Sequence, residues 1–253
     1  MAFDEAAAID SFWAARARGV YFPPEWFDRL TLDQAYRIQL GLIARRCANG
    51  ERHIGWKVGL TAKPIQQQFG FHEPVFGCIL ESQQSGHVFA RDELINPGFE
   101  NELCLRVNRD LAGDIDMAQA RAAVDVVHPS LEIIETRGDL SAQIAVAMAD
   151  NAQQKTIILG KPIALGDTRL EAVEATVQIN GETVATGRGD AVLGHPLNSL
   201  IWLARKLPEF GRHIRAGDLI MSGSFTRQFP IAPGDRIRAD FAGIEAVETS
   251  MRK

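Results

Sequence analysis

Apolar residues recur at helical spacing in the first fifty residues of the chain. A stripe with this period predicts a helix over residues 4–18, which an aspartate at its first position can cap. Thr31 and Gln34 form a capping box, in which a hydroxyl and a glutamine three residues later satisfy the first free amide groups of a helix. The box opens a second predicted helix over residues 31–48. The pattern therefore predicts a helical N-terminal part, residues 1–50.

Short strand-like runs separated by turn residues dominate residues 51–253. The strongest local pattern is a hairpin over residues 172–185, where two alternating runs flank Asn180-Gly181, a favoured two-residue turn. Helices are predicted over residues 62–69, 116–127, 141–148 and 197–207, and a turn is predicted over residues 73–77. Many short strands with few helices between them indicate a β-rich α+β protein, not a regular βαβ series.

One predicted strand carries two carboxylates on the same face. Side chains alternate between the faces of a strand, so Glu100 and Glu102 lie side by side and repel each other. A later strand-like run carries Glu132 among apolar residues. Three carboxylates from two strands suit a hard divalent ion such as Mg2+ or Mn2+. The alternative interpretation is that these acids are solvated or paired with arginine and lysine, and the spacing alone does not decide between the two.

Composition and charge exclude several classes of protein. A chain of 253 residues with 46% hydrophobic residues is long enough to bury a large core. A net charge of -5 without any basic run argues against a nucleic-acid surface. No apolar run approaches the ~18 residues of a membrane span, and the N-terminus does not resemble a signal peptide. Three widely spaced cysteines argue against a disulfide framework, so we expect a reduced, soluble, cytoplasmic protein.

Several short segments resemble those of a known family and occur in the same order. The segments are Gly55–Thr61, Glu100–Glu102, Leu131–Glu132, Ala149–Ala152, Gly187–Gly189, Leu193–Asn198 and Gly217–Gly223. Each is weak alone, but together they resemble the 2-oxopent-4-enoate hydratase and 4-oxalocrotonate decarboxylase group of the fumarylacetoacetate hydrolase superfamily. The resemblance implies a mixed β-sheet roll core after a helical N-terminal part, with residues 51–253 as the catalytic domain. It also implies a divalent-metal site and a homo-oligomer.

The resemblance assigns roles to particular charged residues. It implies that Glu100, Glu102 and Glu132 hold the metal and that Lys57 is catalytic. The ammonium form of Lys57 is favoured near carboxylates, where it can balance charge or donate a proton. The alternative interpretation of Lys57 is a surface lysine. Glu135 lies three residues after Glu132, on the other side of the strand, and is interpreted as structural.

Three further residues are candidates for substrate binding. Asn151 can hydrogen-bond the substrate or a water, and pinning of a loop is an equally open interpretation. Ser222 and Ser224 can donate hydrogen bonds to a substrate carboxylate from a strand end, and a plain turn is the alternative.

The implied reaction is hydration of a 2-hydroxy-2,4-dienoate, or of its 2-oxo tautomer, in the meta-cleavage of aromatic compounds. Water adds at C4 and yields a 4-hydroxy-2-oxo acid. Val75 departs from the hydratase pattern, since the hydratases carry an aspartate at this position and the decarboxylases an aliphatic residue. Gly98 is a second departure, because the family usually has a basic residue there. Decarboxylation of a 4-oxalocrotonate-type acid is therefore the alternative. A non-catalytic partner subunit is a third hypothesis, because hydratase and decarboxylase of this group associate as sister lyases.

Overall fold

The computed structural model describes residues 3–68 and 70–253. Helices α1 to α6 span Glu5–Arg16, Leu32–Ala48, Lys63–Gln68, Met117–Ala123, Ile144–Ala149 and Leu197–Lys206. Strands β1 to β7 span Gly55–Gly59, Val75–Ile79, Ser82–Gln84, His87–Phe89, Pro97–Val107, Val124–Glu135 and Gln154–Leu159. Strands β8 to β14 span Ile163–Ala164, Glu174–Ile179, Glu182–Arg188, Leu219–Ser224, Phe229–Pro230, Arg236–Phe241 and Ala246–Met251. In the described residues, no helix combines the length and apolar character that crossing a membrane requires.

A mixed sheet organises the fold. Its strands follow the order β2-β1-β11-β5-β6-β7-β3, while β12 pairs with β5 and β8 pairs with β6. The pairs β1/β11 and β3/β7 are parallel, and the other pairs in this sheet are antiparallel. A second sheet has the order β10-β9-β13-β14-β4. Helices α1 and α2 precede the first strand, so the predicted α+β class with a helical N-terminal part is confirmed.

The N-terminal helices share the hydrophobic core of the sheets. Phe12 of α1 and Tyr36 of α2 belong to the same buried cluster as Phe76 of β2. The Tyr36 and Phe76 rings stack with centroids 4.0 Å apart, and the Phe76 amide donates to the Tyr36 hydroxyl. This contact fixes α2 against the strand that pairs with β1. The division of the chain at residue 50 stays a prediction about its domains.

The local patterns predicted the nearby structure well. The capping boxes at Thr31 and Asp116 are both formed, each with two reciprocal hydrogen bonds. Asn180 and Gly181 have positive φ angles of 56° and 86°, which the tight turn between β9 and β10 requires. Helix α3 lies within the helix predicted over residues 62–69, whose last residue is outside the described residues.

Two predicted boundaries were wrong because pairing between strands overrides local preference. The helix predicted over residues 116–127 ends at Ala123, and the β-branched run that starts at Val124 enters β6 against β5. The turn predicted over residues 73–77 is a strand from Val75 onward, because Val75 pairs with Gly59 of β1.

Candidate metal centre

Three carboxylates meet where β5 and β6 pair. Glu100 lies directly opposite Glu132 in the antiparallel register, and Glu102 lies opposite Ser130. Because side chains alternate along a strand, all three carboxylates project from one face of the sheet. One oxygen from each carboxylate lies within 4.8 Å of the others. The structure thus brings together the three residues that the sequence nominated as metal ligands.

Lys57 reaches the same cluster from β1. Its Nζ lies 3.6 Å from Oε1 of Glu132, and its side chain is 7% exposed, so the interpretation as a surface lysine is wrong. Two glycines leave room for this buried chain. A Cβ atom at Gly59 would lie 3.3 Å from Nζ of Lys57, and one at Gly77 would lie 3.2 Å from its Cγ.

The protein environment disfavours the ionised form of all three acids. Burial, reinforced by the charge of Glu132, raises the pKa of Glu100 to about 7. Burial and the two neighbouring carboxylates raise the pKa of Glu102 well above its usual range, although the Gly223 amide donates a 2.7 Å hydrogen bond to its Oε2. Burial also raises the pKa of Glu132, and Lys57 opposes that rise. Without a cation, the cluster therefore binds protons at higher pH than free carboxyl groups do.

The unpaired oxygens of the cluster fit a hard cation. Among the described residues, Oε1 of Glu102 and both carboxylate oxygens of Glu132 are buried without a hydrogen-bond partner. A buried polar atom in this condition costs about 1–3 kcal/mol, so natural proteins rarely leave three of them together. Carboxylate oxygens are the ligands that Mg2+, Mn2+ and Ca2+ prefer. The donor set therefore fits a divalent ion of this class.

A cavity of about 290 Å³ opens beside Lys57 and Glu100. Its apolar wall is formed by Leu60, Val75, Ile134, Leu140 and Met148. Polar side chains that line the same cavity belong to Thr61, Gln153, Ser224, Thr226, Arg227 and Gln228. A small organic acid in this cavity can therefore approach Glu100 and Lys57 while its hydrocarbon part contacts apolar side chains.

The serines predicted to bind substrate have different positions. Ser224 lines the cavity, as its predicted role requires. Ser222 is fully buried, and its carbonyl accepts a hydrogen bond from the Ser199 hydroxyl on α6. The Ser222 hydroxyl is buried and has no hydrogen-bond partner among the described residues, so its predicted contact with the substrate stays a prediction. Glu135, interpreted as structural, accepts a hydrogen bond from the Ile95 amide and pairs with Arg137.

Asn151 pins the loop next to the cavity. Its side-chain oxygen accepts from the Cys78 amide at 2.7 Å, and its side-chain nitrogen donates to the Cys78 carbonyl at 2.8 Å. These two hydrogen bonds support the pinning interpretation, and the substrate contact of Asn151 stays a prediction. Asn151, Ala152 and Gln153 have φ angles of 57°, 48° and 60°, an unusual left-handed run that costs about 1–3 kcal/mol for each residue.

Residues 226–228 line the cavity and were missed by the sequence analysis. They reach it because β12 pairs with β5, with Phe229 opposite Phe99 and Pro230 opposite Gly98. A Cβ atom at Gly98 would lie 2.5 Å from Nε2 of Gln228, so Gln228 takes up the space beside this glycine. The available signal in the sequence was Gly98, which stands where the family usually has a basic residue. This signal does not show that Gln228 takes up the space beside the glycine.

Mg2+ is expected to raise the melting temperature more at pH 8 than at pH 6. When the pKa of a carboxyl group is higher in the folded protein than in the unfolded chain, its contribution to the free energy of unfolding is fully present below the unfolded pKa. For Glu100 this contribution is lost as the pH rises through about 7, the pKa in the folded protein. Mg2+ must displace these protons, so it binds more tightly at higher pH. Each tenfold gain in affinity adds about 1.4 kcal/mol, or about 3–6 °C.

Differential scanning fluorimetry, with and without Mg2+, measures this difference. Sodium chloride at matched ionic strength is the control for screening of the charges. Equal shifts at the two pH values would contradict the proposed link between protonation and metal binding.

Comparisons with known proteins agree with this geometry. The fumarylacetoacetate (FAA) hydrolase C-terminal family matches residues 80–252. The chain is 35% identical to 2-keto-4-pentenoate hydratase of Paraburkholderia xenovorans (strain LB400), over 96% of this chain and 93% of that protein. It is also 35% identical to 4-oxalocrotonate decarboxylase of Pseudomonas sp. (strain CF600), over 86% of this chain and 84% of that protein.

A solved structure matches nearly the whole chain. It is 4-oxalocrotonate decarboxylase from Pseudomonas putida G7, complexed with magnesium and adipate. The TM-score is 0.91 at 31% sequence identity, and the match covers 98% of this chain and 97% of that chain. The predicted fold type is therefore confirmed.

Proposed function

This chain belongs to the fumarylacetoacetate hydrolase family, and on that premise we propose that it is a divalent-metal-dependent lyase that hydrates a 2-hydroxy-2,4-dienoate during the breakdown of aromatic compounds. The observation that carries the proposal is the cluster of three carboxylates beside Lys57, of which Glu100 lines a partly apolar cavity together with Lys57. Relatives named as hydratases and decarboxylases support the class of reaction.

The proposal assigns metal binding to Glu100, Glu102 and Glu132. When bound there, a divalent cation neutralises negative charge on the substrate carboxylate and the 2-oxygen as a Lewis acid. An all-carboxylate donor set favours Mg2+ or Mn2+ over softer metals. Related decarboxylase structures contain magnesium or calcium, which is consistent with this choice of ion.

The chain's own residues supply binding and proton transfer in this proposal. Lys57 holds a proton at Nζ beside Glu132 and is assigned its transfer to C5 of the dienolate, after which water adds at C4. The hydroxyl of Ser224 is assigned to the substrate carboxylate. The apolar wall, including Leu60 and Ile134, contacts the carbon chain and limits the access of water to its other positions.

Val75 favours decarboxylation as the second candidate reaction. This residue is 2% exposed, lines the cavity and lies opposite Gly59, close to Lys57. A valine here cannot activate water, and an apolar contact disfavours a solvated carboxylate and so favours its loss as CO2. The C5–carboxyl bond would break, its electrons would remain in the dienolate, and Lys57 would then protonate C5.

Turnover assays distinguish the two reactions. With Mg2+ present, we expect loss of the ultraviolet absorbance of 2-hydroxypenta-2,4-dienoate and formation of 4-hydroxy-2-oxopentanoate, identified by NMR. Release of CO2 from 4-oxalocrotonate is measured in parallel and would favour the second candidate. A chelator should stop either reaction. Absence of metal-dependent turnover with both substrates would overturn the proposed function.

The assembly of the enzyme is part of the proposal. A homo-oligomer and association with a sister lyase are predicted from the family resemblance. The number of subunits follows from dividing a measured mass by the 27.8 kDa of one chain. Light scattering on the purified protein, alone and with the sister enzyme, measures these states directly.

A further inference from the structure

A largely buried cluster of two arginines and two carboxylates lies close to the left-handed run. Arg137, whose side chain is 3% exposed, donates from Nε to Oδ2 of Asp150 and from Nη1 to Oε2 of Glu135, at 2.5 Å and 2.7 Å. Its Nη2 donates to the main-chain oxygen of Asp150 at 3.0 Å. Arg137 thus binds both the side chain and the backbone of the residue that precedes the run.

The N-terminal part of the chain completes this cluster. Arg16 of α1 lies 3.4 Å from Oδ1 of Asp150. The Tyr21 ring contacts both arginines, with its centroid 5.0 Å from Cζ of Arg16 and 5.3 Å from Cζ of Arg137. These distances are typical of cation–π contacts. Two positive and two negative charges balance, which makes burial of Arg137, Glu135 and Asp150 tolerable, while the Arg16 side chain stays 33% exposed.

The cluster connects directly to the cavity wall. The main-chain oxygen of Asp150 accepts hydrogen bonds from Arg137 and from the Gln153 amide, and the latter bond closes the left-handed run. Ala152 and Gln153 of that run line the cavity beside Lys57. Non-glycine residues hold such φ angles only where the surroundings determine them strongly. The restraint here comes from Arg137 on one side and from the hydrogen bonds of Asn151 to Cys78 on the other.

We propose that Arg137 is a positioning residue that fixes the Asn151–Gln153 wall of the cavity through Asp150, with Arg16 and Tyr21 completing the restraint. The N-terminal helix then contributes to substrate binding without touching the substrate. The substrate named in this inference, a 2-oxo acid, rests on the proposed function. The arrangement of the wall does not, and it can be measured without any substrate.

The first test is Arg137→Ala with the full-length protein. Binding of 2-oxopentanoate, an unreactive analogue, is measured by calorimetry with saturating Mg2+. We expect affinity to fall by about tenfold to a hundredfold, since small displacements of a positioning wall have effects of this size. KM should rise in parallel, while Mg2+ affinity stays within about twofold because no assigned metal ligand contacts Arg137. Added guanidinium ion should restore part of the affinity.

A purely structural role would give a different result. It would lower the melting temperature and the fraction of active protein, but it would leave KM and the dissociation constant of the folded protein unchanged. That outcome would overturn the proposal. The control variant is Arg106→Ala, which removes an exposed arginine paired with Asp125 and should bind the analogue as the wild type does.

Tyr21 provides a milder pair of variants in case Arg137→Ala does not fold. Tyr21→Phe keeps the aromatic face and should behave as the wild type, whereas Tyr21→Leu removes the cation–π contacts and should weaken binding. Identical affinities for the two variants would count against the role assigned to the ring.

Hydrogen exchange separates this inference from the proposed function. Amides of residues 150–154 should exchange faster in Arg137→Ala or Tyr21→Leu than in the wild type, and no faster in Arg106→Ala. If the wild type binds no 2-oxo acid but this difference is present, the proposed function fails and the positioning of the wall stands. Unchanged exchange would overturn the positioning role, whatever the substrate is.

Discussion

Glu132→Gln should abolish metal-dependent turnover, with a loss on the order of a thousandfold or more in kcat/KM. Glutamine has the same shape but no charge, so it removes one of three carboxylates and the ion-pair partner of Lys57 together. The fold should survive, because glutamine keeps the shape of the side chain, and burial, which raises the pKa of Glu132, makes a neutral group easier to accommodate there. Steady-state kinetics and calorimetry with Mg2+ measure the two effects.

Glu135→Gln is the matched control for this prediction. Glu135 is also buried on β6, but it pairs with Arg137 and lies away from the carboxylate cluster. We expect it to lose stability while keeping Mg2+ affinity. Wild-type turnover or Mg2+ affinity in Glu132→Gln would contradict the assignment of the metal centre.

Lys57→Met should lower kcat by about 10²–10⁴-fold, the usual contribution of a positioned proton donor. Methionine fills most of the same volume between Gly59 and Gly77 without a charge. Three carboxylates remain, so the thermal shift caused by Mg2+ at pH 8 should persist. This combination distinguishes loss of the proton donor from loss of the metal, and it is measured by kinetics and fluorimetry on the same sample.

Lys155→Met provides the control for charge removal. Lys155 forms an exposed ion pair with Glu81 at 3.4 Å and should tolerate the change with little effect, since exposed ion pairs contribute little. If Lys57→Met retained wild-type kcat, the proton-transfer role of Lys57 would be wrong.

The parts of the fold that depend on neighbours in sequence could be predicted from the sequence. Capping boxes act within one turn of helix, and the turn at Asn180-Gly181 follows from the φ angles that these residues tolerate. The same-face position of Glu100 and Glu102 follows from the strand period. The strand-like run around Glu132 offered a third carboxylate, but its assignment as a metal ligand came from the family resemblance, because no local rule states which strand pairs with β5.

Features that depend on distant contacts could not be predicted. Val75 joins a strand only because β1 lies beside it. The left-handed run at Ala152 contradicts the local preference of alanine and exists because distant groups restrain it. Residues 226–228 enter the cavity through the pairing of β12 with β5, across more than a hundred residues of chain. A motif also does not show where a side chain points, so the two hydrogen bonds between the Asn151 amide and Cys78 could not be predicted.

Because Glu100 lies directly opposite Glu132, the site can bind a cation only when β5 and β6 pair in the native register. A slip of one residue between β5 and β6 would turn the carboxylates of one strand to the opposite face and separate them from the other. Such a misregistered sheet could not chelate a cation. Because a ligand stabilises only the state that binds it, the cation would select the native pairing from its slipped competitors. Catalysis and correct pairing of the strands would thus depend on the same three carboxylates.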